Sequence, residues 1–197
     1  MRAYKNGNEA AIIILHEIYG INRFIEELCI QYHNDGFDVF CPQLLGREHF
    51  PYEDSATAHA YFFNEVGFDV YKKIEEQIKY LKLSYKQVFV LGFSVGATIA
   101  WRCSETSLAD GIICCYGSRI RDYLQVTPSC PVLLLFAEHD SFDVQKVVNG
   151  FKEKENIAIF SLPAHHGFLD KYNKYYDEKE ANIAAVLIRN AMKKPTI

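Results

Sequence analysis

Apolar runs rich in β-branched residues alternate along the chain with segments whose apolar positions recur at the helical period. Residues 10–15, Ala-Ala-Ile-Ile-Ile-Leu, read as a buried strand. Ile21, Phe24, Ile25, Leu28, Cys29 and Tyr32 then fall on one face of an amphipathic helix. Asn34-Asp35-Gly36 ends that helix, and 37–41 form a second strand stopped by Pro42. Residues 43–68 interrupt the alternation, with Gly46, Pro51 and Gly67 as breakers and a dense aromatic set that includes Phe50, Tyr52, Tyr61, Phe62, Phe63 and Phe68. This excursion is expected to line a pocket. Beyond it, Val70, Ile74, Ile78 and Leu81 mark a helix whose other face, with Lys72, Lys73, Glu75, Glu76 and Lys79, is solvated. Residues 88–91 predict a third strand, 95–103 a helix, 111–116 and 131–136 two central strands, 142–151 a short helix and 157–162 the last strand. Ala181, Ala184, Ala185, Ile188 and Met192 form the stripe of a closing helix. Strands joined by crossover helices predict an α/β class, a mostly parallel central sheet flanked by helices on both faces, in one domain over 1–197.

Composition narrows the partners. In 197 residues, 25 acidic and 21 basic side chains leave a net charge of −4, which gives no electrostatic reason for nucleic acid or an anionic membrane surface. A small molecule is the expected partner, with the protein a monomer or a small homo-oligomer. No apolar run reaches the ~18 residues of a membrane span, and the first residues meet acid before their short apolar segment, unlike a signal peptide. A cytoplasmic location is therefore expected. Cys29, Cys41, Cys103, Cys114, Cys115 and Cys130 mostly sit inside apolar segments, and no C-x-x-C or Cys/His cluster has metal-ligand spacing. They read as buried free thiols, and no metal is expected.

Candidate chemistry begins directly after the 88–91 run, where Gly92-Phe93-Ser94-Val95-Gly96 matches G-x-S-x-G and Ala97-Thr98-Ile99-Ala100-Trp101 can continue a helix. A strand-to-helix turn this sharp forces the serine into strained backbone angles, needs small residues on either side, and pushes the hydroxyl outward. A serine hydroxyl is a weak nucleophile near neutrality, so it needs a base within reach and a third group to orient that base. Asp140 lies past the 131–136 strand and His166 past the 157–162 strand, giving the chain order Ser, Asp, His. Glu138 and Asp143 are carboxylates near the same strand and His165 adjoins His166; Asp140 and His166 are favoured. An oxyanion hole needs the N–H after the nucleophile, that of Val95, and one from the loop after an early strand, for which Ile18 in His16-Glu17-Ile18-Tyr19-Gly20-Ile21-Asn22 is the choice.

With these landmarks the sequence resembles the dienelactone hydrolase family of the α/β-hydrolases over nearly its whole length. The resemblance rests on Glu17-Ile18-Tyr19-Gly20-Ile21-Asn22, the elbow, Ala137-Glu138-His139-Asp140, His166-Gly167-Phe168 and Tyr116-Gly117. It implies an active-site glutamate at Glu17, oxyanion donors at Ile18 and Val95, and a triad of Ser94, Asp140 and His166, and it selects His166 over His165. The name-giving enzymes carry a cysteine nucleophile coupled to the glutamate, where this chain has Ser94. That departure shifts the expectation to serine esterase chemistry, with Glu17 shaping the pocket. Those enzymes also hold a substrate carboxylate with arginines, for which Arg47 is the candidate here; Tyr19 and Phe93 are further candidates for the pocket. The expected reaction is cleavage of a small ester or lactone through an acyl-enzyme on Ser94, without cofactor or metal. The alternatives are a ligand-binding or regulatory protein on a hydrolase scaffold, or an acyltransferase using the same serine.

Overall fold

The computed structural model describes residues 1–193. Seven strands, β1 (Arg2–Tyr4), β2 (Ala10–Leu15), β3 (Asp38–Cys41), β4 (Gln87–Phe93), β5 (Gly111–Cys115), β6 (Val132–His139) and β7 (Ile157–His165), form one sheet in the order β1-β3-β2-β4-β5-β6-β7. All neighbours are parallel except β1 and β3. The chain runs outward from β2 to β3, then returns past β2 to β4. The order therefore reverses between β2 and β4, and the loops leaving their carboxyl ends diverge to open a crevice there.

The β2 run is uninterruptedly apolar because both of its faces are covered. Ile12 and Ile14 pack with Phe24, Ile25 and Cys29 of helix α1 (Arg23–Asn34) and with Ala184 and Ile188 of α6 (Glu178–Ala191). Ala11, Ile13 and Leu15 pack on the other face, where α3 (Tyr71–Leu81), α4 (Val95–Arg102) and α5 (Val144–Asn149) contribute Ile74, Ile78, Ile99, Trp101 and Val147. All six cysteines are buried and unpaired.

Three departures from the sequence expectation bear on the site. Strands β6 and β7 continue past their apolar runs to His139 and His165, which pair with each other across an irregularity at Ala137. Backbone pairing needs no apolar side chain, so the exposed Glu138 and His139 extend the ladder and deliver the next residue to the rim. The 43–68 excursion is largely helical: a 3₁₀ turn at Tyr52–Asp54, α2 (Ser55–Tyr61), a π-helical turn at Phe62–Val66 and a 3₁₀ turn at Phe68–Val70. Each piece is too short to show a period and is held by tertiary burial of Ala58 and Phe62. Finally, β1 is an antiparallel edge strand of only three residues, which leaves no readable alternation. The loop after it is fixed by buried Asp38, whose carboxylate accepts from the Asn6 and Asn8 N–H groups and the Tyr85 hydroxyl.

Candidate active site

Ser94 sits between β4 and α4 with φ 52° and ψ −113°, a left-handed conformation that a non-glycine residue adopts only under constraint. The constraint is visible: its N–H donates to Cys115 O at 3.0 Å and its carbonyl accepts from the Thr98 N–H at 3.2 Å. Gly92 and Gly96 make the turn sterically feasible. A Cβ on Gly92 would lie 2.2 Å from the Gly96 carbonyl oxygen, and one on Gly96 would lie 2.4 Å from the Leu15 carbonyl oxygen. Both obstacles are backbone and cannot rotate away. Gly96→Ala is expected to cost about 3 kcal/mol of stability by overpacking, read as a lowered urea midpoint with unchanged slope; an unchanged midpoint would mean that α4 does not need this approach to β2.

Asp140 and His166 follow the last residues of adjacent strands, and this brings them to Ser94. His166 Nε2 lies 3.0 Å from Ser94 Oγ and His166 Nδ1 lies 2.7 Å from Asp140 Oδ2. With an ionised carboxylate at Nδ1, that nitrogen carries the proton and Nε2 faces the serine hydroxyl as an acceptor. Burial opposes a charged His166 ring, but the hydrogen bond and charge of Asp140, with the charge of Glu17, outweigh it and leave the imidazole pKa above its ordinary value. Burial likewise raises Asp140, and this is overcome by His166 and by the Ser141 N–H and hydroxyl, so its carboxyl titrates below the usual range. Ser141 N–H and Oγ lie 2.6 and 3.2 Å from Asp140 Oδ1, which leaves Oδ2 for the histidine. His165 points elsewhere, stacked on Tyr175 with centroids 4.9 Å apart.

The loop after β2 faces the serine. His16 is buried, and burial lowers its pKa to about 4, so the ring is neutral. Its Nε2 accepts from the Leu44 N–H at 3.0 Å and its Nδ1–H donates to Glu17 O at 2.7 Å, which pins the loop from below. Gly20, at φ 87°, closes the turn with its N–H on Glu17 O at 3.2 Å. Ile18 and Val95 line the same crevice as Ser94. Glu17 is buried behind them. Burial first, then the charge of Asp170, pushes its pKa up to about 7 against the opposing pull of His166 and Tyr116.

The crevice has a volume of about 450 Å³. Beside the residues above it is lined by Arg119 and Arg121 from the turn after β5, and by His59 and Phe63, whose rings stack at 4.3 Å. None of these four stands in a sequence motif. His59 and Phe63 come from the 43–68 excursion expected to line a pocket. For the two arginines the available signal is topological, since β5 is the neighbour of β4 and whatever leaves its carboxyl end arrives beside the elbow. The expectation that Arg47 faces the crevice is not met. Its guanidinium lies 4.0 Å from the Phe50 ring centroid and borders a separate hollow with Arg2 and His49. Phe93 is buried edge-on against Phe24, and Tyr19 packs on Tyr52; neither is among the residues lining the crevice. Among the described residues, no group of His, Cys, Asp or Glu is placed to hold a metal ion, and no helix is long and apolar enough to cross a membrane.

The sheet order, the strained turn after β4 and the convergence of later loops on it define an α/β-hydrolase. The profile of the dienelactone hydrolase family matches residues 1–194, and the chain belongs to that family, which makes it a hydrolase of the carboxylic-ester type. The uncharacterized protein YczH of Bacillus subtilis (strain 168) is 36% identical over 170 residues, 84% of each chain. Carboxymethylenebutenolidase 1 of Cupriavidus pinatubonensis (strain JMP 134 / LMG 1197) is 23% identical over 189 residues, 88% of this chain and 81% of the other. A dienelactone hydrolase candidate from Klebsiella pneumoniae subsp. pneumoniae MGH 78578 shares the fold with a TM-score of 0.78 at 19% identity, over 93% of this chain and 86% of that one.

Proposed function

We propose that the protein is a serine esterase that cleaves small esters or lactones bearing an anionic group, through an acyl-enzyme on Ser94. The observation that carries this is the continuous chain from Ser94 Oγ to His166 Nε2 at 3.0 Å and from His166 Nδ1 to Asp140 Oδ2 at 2.7 Å. In this mechanism Ser94 Oγ attacks the carbonyl carbon as His166 Nε2 takes its proton, and Asp140 stabilises the imidazolium. The Ile18 and Val95 N–H groups receive the oxyanion, and the amino end of α4 adds its positive dipole. His166 returns the proton to the leaving alkoxide, then removes one from the water that releases the acid from Ser94. Every proton in this cycle passes through Nε2, and Glu17 stays outside the path.

The charge around the crevice supports the anionic substrate class. In a chain of net charge −4, Arg119 and Arg121 both line this one opening, and among the described lining residues the carboxylate, Asp140, is engaged by His166. The arginines are steered by neighbours: Arg119 pairs with Asp122 at 2.7 Å, and Arg121 lies over Phe142 with its Nη1 on Ser118 O. A planar guanidinium fork lining a crevice suits a carboxylate or a phosphate. Of two aryl esters that differ only in a neutral or a carboxylate-bearing acyl arm, the carboxylate ester should show a kcat/KM about tenfold higher, and Arg119→Ala combined with Arg121→Ala should erase that preference. Equal rates for the two esters, unchanged in the double variant, would remove the anion from the proposal.

A further inference from the structure

A second set of buried polar groups lies behind the reacting atoms and takes no part in the steps above. Asp170 is fully buried, four residues after His166. Its Oδ1 accepts the Tyr172 N–H at 2.9 Å and its Oδ2 accepts the Tyr52 hydroxyl. The Tyr52 oxygen in turn accepts from Asn22 Nδ2 at 2.8 Å, and Asn22 Oδ1 caps α1 by accepting the Ile25 N–H at 3.1 Å. The Tyr52 ring stands edge-on to Tyr19 at 4.8 Å. One phenol thus joins the 16–22 loop, which carries Ile18, to the 166–173 loop, which carries His166.

We propose that Tyr52 and Asp170 are positioning residues of the active site, whose hydrogen bond locks the loop of the base to the loop of the oxyanion donor. A buried aspartate held by a phenol and a single N–H, with no cation among its hydrogen-bond partners, is an expensive way to fill a core, and apolar residues of the same size would do so at less cost. What the polar pair adds is a directional link that fixes the distance between the two loops. It also places charge. Glu17 is faced by Asp170 and His166 from one loop, by Tyr116 and Cys115 from the end of β5, and by Tyr19 and Tyr52. His166 is faced by Asp140, Glu17 and Ser94, with the Tyr116 ring 5.0 Å away. While Tyr52 donates to Asp170, the negative charge rests there and disfavours ionisation of Glu17, whose carboxyl is already pushed up to about 7.

Tyr52→Phe keeps the ring and removes only the hydroxyl. Without that donor, the ionised form of Asp170 loses a hydrogen bond and the carboxyl takes a proton from solvent at higher pH. With less negative charge there, Glu17 ionises at lower pH beside His166, and the imidazolium is favoured. The His166 titration midpoint, followed by NMR of its ring protons, should rise by about half a pH unit, with the acid limb of kcat/KM following it. Ester kcat should fall about tenfold with KM within about twofold, because the reacting groups lose alignment while the pocket stays intact. Adding Asp170→Asn to Tyr52→Phe should cost little more, since both remove one interaction. An unmoved midpoint with kcat within about twofold of wild type would overturn the proposal, as would a kcat loss matched by loss of folded protein while the midpoint stays put. Should Tyr52→Phe not fold, Asp170→Asn alone carries the same expected direction. The kinetic arm rests on Ser94 being the nucleophile and the NMR arm does not. A wild-type enzyme that fails to use Ser94 would sink the mechanism, and the midpoint alone would then decide the role of Tyr52 and Asp170.

Discussion

Ser94→Ala should lose at least ~10³-fold in ester turnover while keeping its melting temperature within a few degrees of wild type. The loss is large because, on the proposed mechanism, the hydroxyl that touches His166 Nε2 is the attacking group; what remains is binding and the proposed oxyanion donors. The stability change is small because the side chain is half-buried and opens into the crevice, so its removal leaves no cavity in the core. Alanine accepts the φ of 52° about as poorly as serine, and the backbone strain of the turn is therefore the same in both. Turnover within about twofold of wild type would place the nucleophile elsewhere.

The adjacent histidines should separate sharply. His166→Ala should approach the Ser94→Ala loss, whereas His165→Ala should cost no more than a few fold, because its ring packs on Tyr175 and His139 and touches no reacting atom. In the wild type, only the neutral imidazole can accept the serine proton, so kcat/KM must fall as pH drops through the His166 pKa. Asp140 and Glu17 hold that pKa above the ordinary 6.5, and the acid limb is expected above that value in a pH-rate profile. A limb below 6.5 would mean that burial, which favours the neutral ring, outweighs the two carboxylates.

The parts of the molecule legible in the sequence are those set by local rules. Apolar period marked β2, α1, α3 and α6, and the elbow could be read because a strand, two obligatory small residues and a helix must follow in that order. Asp140 and His166 were legible as loop residues past parallel strands, although their arrival at the rim depends on polar extensions of β6 and β7 that no apolar pattern reveals. Arg119 and Arg121 were not legible. Ser118-Arg119-Ile120-Arg121-Asp122 has the look of a surface turn, and only the complete burial of Ile120 fixes the turn on the body of the protein beside the crevice. Arg47 follows β3, but cation–π contact with Phe50 and Tyr61 draws it to another face. Tyr52 and Asp170 lie 118 residues apart and meet only because the excursion after β3 folds back under the histidine loop. Long-range polar pairs of this kind leave no periodic trace.

The most direct measurement is the mass and position of the covalent adduct formed with a fluorophosphonate ester, mapped on proteolytic peptides while ester turnover is followed in the same sample. One equivalent of phosphonyl group on the peptide containing Ser94, formed in step with the loss of turnover and absent from His166→Ala, is the expected result. An adduct on Ser118, Ser141 or a cysteine, or turnover that continues after Ser94 is fully modified, would contradict the assignment of Ser94 as the nucleophile.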